Sequence, residues 1–107
     1  MRARAHLTFT TALILEAIAS GRRYGFDIME ISGLADGTVY PALRRLERAG
    51  MLDSEWEDAE HAAADRRPPR RYYRLTEQGE ELLETARRRF PALGRLPFAP
   101  APQPEQA

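Results

Sequence analysis

The chain has 107 residues, enough for one domain, and 43% of them are hydrophobic, so a packed core needs neither disulfides nor metal staples. It has no cysteine, which removes zinc-thiolate sites and thiol catalysis, and no apolar run near the ~20 residues that cross a bilayer. Sixteen acidic and sixteen basic residues give a net charge of zero, which excludes a histone-like polycation but not a basic face. All the basic residues are arginine, with no lysine or asparagine, as a GC-rich genome would produce, so arginine abundance alone carries little weight. The stretch from Met1 to His6 leads into residues broken by Thr8, Thr10, Thr11 and Glu16, with no clean signal-peptide core. A soluble, cytoplasmic protein without membrane association is expected.

Residues 8–20 have helical length and good helix formers. At ~100° per residue, Phe9, Leu13 and Ala17 share one side, Ile14 and Ile18 continue round, and Leu15 lies almost opposite Leu13. A helix apolar nearly all round, with Glu16 as its one charge, calls for cover on more than one side, and a second subunit could supply part of it. A plain central core helix is the competing explanation. Glu16 is expected to pair with an arginine of the partner helix or to sense a ligand, pairing being preferred.

Gly21 ends that helix, and a short one follows over Phe26–Ser32, which Gly33 can close in a left-handed cap. After a turn through Leu34, Ala35 and Asp36, the next helix is expected over residues 37–49, with Asp36 as N-cap and Gly50 as the stop. Two helices joined by a short glycine-containing turn form a helix-turn-helix pattern. Val39, Leu43 and Leu46 make a narrow apolar stripe on helix 37–49; Pro41, Arg44 and Arg48 lie opposite, flanked by Thr38 and Arg45, with Tyr40 at the border. Such a face suits phosphate contact by arginine while the N-terminal turn approaches base edges. Alternatively it is a solvated face decorated with Glu47–Arg pairs. Pro41 removes one helical hydrogen bond and crowds the carbonyl of Gly37, so the first turn is distorted or the helix begins later.

After Gly50 the period becomes two. Residues 51–58 place Leu52, Ser54 and Trp56 on one face and Asp53, Glu55 and Glu57 on the other, and Arg71–Leu75 also alternates, which predicts an antiparallel hairpin. Residues 51–65 hold six acids and no arginine, whereas 66–74 hold five arginines and no acid, so cross-strand ion pairs can set the register. The connection from Ala59 to Arg70 is expected to be a flexible arginine tip suited to a minor groove or to phosphates, or else a mobile solvated loop. Trp56 is expected to pack within the hairpin rather than form a ligand platform. Thr76 can cap a last helix over Glu77–Phe90, with Leu82, Leu83, Ala86 and Phe90 as its apolar stripe and arginines late, where they complement the helix dipole. From Pro91 onward, five prolines in seventeen residues predict a disordered tail.

The order helix, helix, turn, helix, hairpin, helix is that of a winged helix-turn-helix, a mostly α fold with one small β-hairpin. The runs Tyr24-Gly25-Phe26-Asp27-Ile28-Met29, Gly37-Thr38-Val39-Tyr40-Pro41-Ala42-Leu43-Arg44-Arg45-Leu46-Glu47 and Arg70-Arg71-Tyr72-Tyr73-Arg74-Leu75-Thr76, with Gly50-Met51-Leu52 and Ser54-Glu55-Trp56-Glu57 between them, resemble the PadR family of bacterial transcriptional regulators. The resemblance covers about residues 7–90. It implies a homodimer on a pseudo-palindromic double-stranded DNA operator, usually as a repressor of its own or a neighbouring gene.

The same resemblance implies that helix 37–49 is the recognition helix, turning Thr38, Tyr40, Arg44 and Arg45 to DNA, that Arg67 and Arg70 belong to the wing, and that the helix after Thr76 makes much of the dimer contact beside the first helix. With the face analysis, the expected DNA-binding set is Thr38, Tyr40, Pro41, Arg44, Arg45, Arg48, Arg67 and Arg70. The expected dimer interface is Phe9, Leu13, Ile14, Ile18, Leu82, Leu83, Ala86 and Phe90. The organisation that follows is a DNA-binding domain over 1–76, a dimerisation helix over 77–90 and a tail over 91–107. The segment from Phe26 to Gly33 is shorter than in many members, which resembles the compact subset of the family. Some small members hold flat aromatic drugs between tryptophans of the last helix; no tryptophan stands there in this chain, so no such pocket is expected.

The alternative is a winged-helix interaction module whose basic face binds an acidic protein partner. An enzyme is not expected, because there is no nucleophile with a matching base and no glycine-rich phosphate loop. No cofactor is expected, and His6 and His61 are too far apart in kind of segment to share a metal. Whether a small-molecule effector exists is not legible in the sequence.

Overall fold

The computed structural model describes residues 7–96. Five helices and one hairpin follow in the order α1 (Phe9–Ala19), α2 (Gly25–Ser32), α3 (Asp36–Arg48), β1 (Leu52–Trp56), α4 (Ala59–Ala64), β2 (Arg71–Leu75) and α5 (Glu77–Arg89), then a 3-10 turn over Pro91–Arg95. The helix ends follow capping chemistry. Thr8 accepts the N–H of Thr11 at 3.1 Å to start α1, and Thr76 accepts that of Gly79 at 3.0 Å to start α5. Gly33, at φ 76°, closes α2 in the left-handed conformation that a glycine adopts without strain.

Helix α1 is the hub: it packs on α2, α5, β2 and the 3-10 turn. Its all-round apolar character is explained within one chain. Ile14, Leu15, Ala17 and Ile18 enter the main core with Ile28, Val39, Leu43, Leu46, Leu52, Tyr73 and Leu83, while Ala12 joins Ala86 and Leu93 in a second cluster. Ile14, Ile18, Leu83 and Ala86 are therefore no more than 5% exposed in a single protomer and offer no surface to a second one. Of the other residues expected at the interface, Phe9 is exposed and Leu13, Leu82 and Phe90 are half-buried. Glu16 is likewise satisfied within the chain: Arg87 of α5 donates to its two carboxylate oxygens at 3.0 and 2.8 Å.

β1 and β2 pair antiparallel from Leu52↔Leu75 to Trp56↔Arg71. The cross-strand charge pairing is carried by Arg74, 3.7 Å from Asp53 and 3.8 Å from Glu55. Beyond the two strands, the Tyr73 N–H donates to the Arg23 carbonyl at 2.8 Å, which ties the segment before α2 to the outer edge of β2.

Two expectations fail. The hairpin connection is not a flexible tip, because Ala59–Ala64 forms α4, an alanine-rich turn and a half anchored by the fully buried Ala62. The tail does not lose order at Pro91: Pro91–Arg95 winds into the 3-10 turn and buries Leu93 against Ala12 and Ala86. The rest of the expected tail, from 97 onward, and His6 lie outside the described residues. Among the described residues, no helix is long and apolar enough to cross a membrane.

Candidate nucleic-acid interface

Helix α3 runs Asp36–Arg48, with Ala35 rather than Asp36 at the N-cap and no side-chain cap bond; Asp36 sits in the first turn instead, where a carboxylate complements the dipole. Pro41 lies inside the helix, which neither starts later nor breaks there. Its missing N–H leaves the Gly37 carbonyl without its helical donor on a turn where Gly37, Thr38 and Tyr40 are all exposed. Val39, Ala42, Leu43 and Leu46 are buried, so the apolar stripe fixes which way the helix faces. Arg44, Arg45 and Arg48 are consequently exposed, and none of the three makes an ion pair among the described residues.

The acid nearest to them in sequence is used elsewhere. Glu47 accepts a 2.6 Å hydrogen bond from Ser54 on β1 and faces the guanidinium of Arg71 at 3.4 Å, while the Arg71 Nε donates to Ser54 at 3.0 Å. This triangle ties α3 to both strands of the hairpin and takes away the carboxylate that could have neutralised the arginine face. The pattern was not legible in the sequence, since Glu47 and Arg71 are 24 residues apart.

The hairpin arginines are placed differently from the expectation. Arg67 is held by Glu57 at 2.6 and 2.8 Å and by Asp65 at 3.3 Å. The bidentate pair pulls the Glu57 carboxyl down to about 2, helped by the Arg70 backbone N–H and opposed by desolvation, and raises Arg67 further above its ordinary value. Arg67, expected on the DNA side of the wing, is thus placed in ion pairs with Glu57 and Asp65 inside the wing connection. Arg70 lies 4.1 Å over the ring of Tyr24, which in turn meets Tyr72 edge-on at 5.6 Å. Burial raises the phenols of Tyr24 and Tyr73 above their ordinary value, so both stay protonated near neutrality.

Trp56 does not pack into the hairpin: it is 62% exposed, with Arg71 5.3 Å over its ring. Tyr40 leans on the backbone of α2 at Gly25, where any side chain would collide with its ring. Between Trp56 and α3 runs a groove lined by Arg44, Glu47 and Arg48. No group of three or more metal-ligating side chains occurs among the described residues.

A three-helix core with a paired hairpin, an exposed helix after a glycine turn and a wing tied to that helix define a winged helix-turn-helix protein. The sequence pattern of the Transcriptional regulator PadR-like family matches residues 14–85, and the chain belongs to that family. Solved structures agree. The chain is similar to a PadR family transcription regulator from Clostridium difficile R20291, with a TM-score of 0.68, 24% identity, and 82% of this chain and 93% of that one covered. It is similar also to smu.1704 from Streptococcus mutans UA159, with a TM-score of 0.63, 29% identity, and 88% and 87% of the chains covered. A PadR family transcriptional regulator from Eggerthella lenta DSM 2243 matches with a TM-score of 0.58 and 27% identity over 78% and 76% of the chains. Among curated proteins, none matches this chain.

Proposed function

We propose that the chain is a homodimeric, sequence-specific DNA-binding repressor acting in the bacterial cytoplasm on its own or a neighbouring gene. The observation that carries this reading is the contrast between arginines. Arg67, Arg71, Arg74 and Arg87 each face a carboxylate within 4 Å, whereas Arg44, Arg45 and Arg48 stand together on one exposed helix face with none among the described residues. Unneutralised guanidinium groups suit phosphate oxygens, and the N-terminal turn with Thr38, Tyr40 and Pro41 then enters the major groove. Arg70 contributes from the wing.

The dimer joins the ends of α1 and α5. Phe9 is 38% exposed and stacks edge-on against Phe90 at 5.4 Å, and Leu7, Leu13 and Leu96 are half-buried around the same cluster. A second copy of this apolar patch, related by a two-fold axis, would cover it and would space two recognition helices for a palindrome.

The decisive experiment is a genomic-DNA pull-down with the purified protein, sequenced, at low and near-physiological salt. Enrichment of a few palindromic sites that survive higher salt is the expected result and identifies the operator. Uniform recovery that vanishes with salt would reduce the basic face to a non-specific one and overturn the reading.

A further inference from the structure

Of the large hydrophobic side chains exposed among the described residues, Trp56 is the most open to solvent, and it is the one tryptophan in the sequence. Its backbone is nonetheless held. Trp56 ends β1 in register with Arg71, and the next residue, Glu57, donates its N–H to the Arg70 carbonyl at 2.8 Å while its carboxylate binds Arg67. The ring is propped as well. Arg71 lies over it, and the Arg71 guanidinium is itself anchored by Ser54 and Glu47. An indole kept in one place with most of its surface uncovered is preorganised for a partner outside the chain.

Where that surface lies points to the partner. The indole forms one wall of the groove along α3, about 560 Å³ in volume, which Tyr40, Arg44 and Arg48 also line. Glu47 borders the same groove, but Ser54 and Arg71 engage its carboxylate. A helix in the major groove and a hairpin beside it stand on either side of one sugar-phosphate strand, because that strand is what separates the two grooves of a duplex. The strand therefore runs through the space between α3 and β1. It alternates charged phosphates with the apolar faces of its sugars, and the groove offers the matching alternation: guanidinium groups on α3 and an uncharged ring on the hairpin.

We propose that Trp56 packs its indole against a deoxyribose of the bound duplex, beside the phosphates taken by Arg44 and Arg48. The contact is uncharged, so it adds affinity by removing apolar surface from water and not by releasing counterions. It reads no base, since every nucleotide offers the same sugar face. Its role is to fix the strand against α3 and thereby the register in which the helix meets the base edges. The inference rests on the DNA-binding reading, which by itself gives Trp56 no part.

The test uses the full chain with two duplexes of equal length, a palindrome recovered from the genome and a random sequence. Trp56 is the one source of tryptophan fluorescence, so acrylamide quenching reads its accessibility, and anisotropy titrations at several salt concentrations read affinity. Saturating duplex should shield the indole from acrylamide. Trp56→Ala should bind both duplexes about tenfold more weakly, as when one large apolar side chain is left uncovered, with the slope of log affinity against log salt unchanged. Trp56→Phe, which keeps a flat apolar ring, should recover part of the loss; if the alanine variant fails to fold, this variant and the quenching of the unmodified chain decide. An indole as open with duplex as without it, or unchanged affinity in Trp56→Ala, would overturn the proposal. So would a slope lowered by about 1, which would route the effect through a cation, or a loss confined to the palindrome, which would make the contact one with a base. A chain that selects the palindrome while its indole stays open removes this inference and keeps the DNA-binding reading. Shielding on the random duplex without any selected palindrome keeps the sugar contact and removes sequence-specific binding, and a chain that binds neither duplex removes both.

Discussion

The guanidinium of Arg67 donates to both carboxylate oxygens of Glu57, and the backbone N–H of Arg70 donates to one of them at 3.1 Å. One carboxylate thereby holds both ends of the wing connection: Glu57 directly follows β1, and Arg70 directly precedes β2. Its side chain is only 6% exposed, so the pair is shielded from water in a way that a surface ion pair is not. The wing connection gains a fixed shape from these bonds.

The first prediction separates the two kinds of arginine. Arg44→Ala should weaken binding across DNA sequences and lower the slope of log affinity against log salt by about 1, as the loss of one phosphate contact does. Arg67→Ala should leave that slope unchanged and lower the melting temperature instead. Anisotropy titrations at several salt concentrations, paired with thermal melts, distinguish them. Equal losses of slope would return Arg67 to the DNA surface.

Thr38→Ala tests the division of labour within α3. Thr38 is exposed on the first turns of the helix, where base edges come within reach. The substitution should reduce discrimination between operator and random DNA while affinity for random DNA stays close to that of the unmodified chain. Parallel titrations with both DNAs read this out.

Glu57 makes stability depend on pH in a defined direction. Its folded-state carboxyl lies at about 2 against an ordinary 4.5, so its stabilisation is complete above about 4.5 and is lost as pH falls toward 2. Glu57→Gln should melt below the unmodified chain at neutral pH, and the difference should close between pH 4.5 and 2. Circular-dichroism melts across that interval check it. A difference that stays constant with pH would show that shape rather than charge makes Glu57 matter.

Two glycines in helices predict opposite signs. A Cβ on Gly79 would run into the Met51 carbonyl oxygen, which also accepts the Thr76 N–H at 3.0 Å and belongs to backbone that cannot swing aside. Gly79→Ala should cost at least ~1–3 kcal/mol, the usual penalty of overpacking. Gly37 has open space around it, so Gly37→Ala should stabilise by roughly 0.5–1 kcal/mol through helix propensity. Denaturant unfolding measures both.

The proposed dimer turns on the side chains that one protomer leaves half-covered. Leu13→Glu and Phe9→Glu should convert a dimer to a monomer by light scattering while the helical content is kept, and binding to a full palindrome should fall to that of a half-site. A dimer that persists in both variants would place the interface elsewhere.

Spacing along the chain was sufficient for much of this protein. The 3.6-residue period of Val39, Leu43 and Leu46 determined which side of α3 is buried, and with it that Arg44, Arg45 and Arg48 face outward. The period of two across Leu52–Trp56 and Arg71–Leu75 determined the hairpin, and Thr76 marked the start of α5, because these are properties of the local backbone. Tertiary structure alone decided which charges survive as free charges and which apolar residues remain for a partner. Arg87 reaches a glutamate 71 residues away, Arg71 one 24 residues away and Arg67 one 10 residues away, and no local pattern specifies such pairs. Ile14 and Leu13 are neighbours of like composition, yet one is sealed in the core and the other half-open, because the packing of α2, α5, β2 and the 3-10 turn around α1 covers most of its sides. Ion pairing and burial depend on what the fold brings within about 4 Å, a distance that residue spacing describes only within a single element.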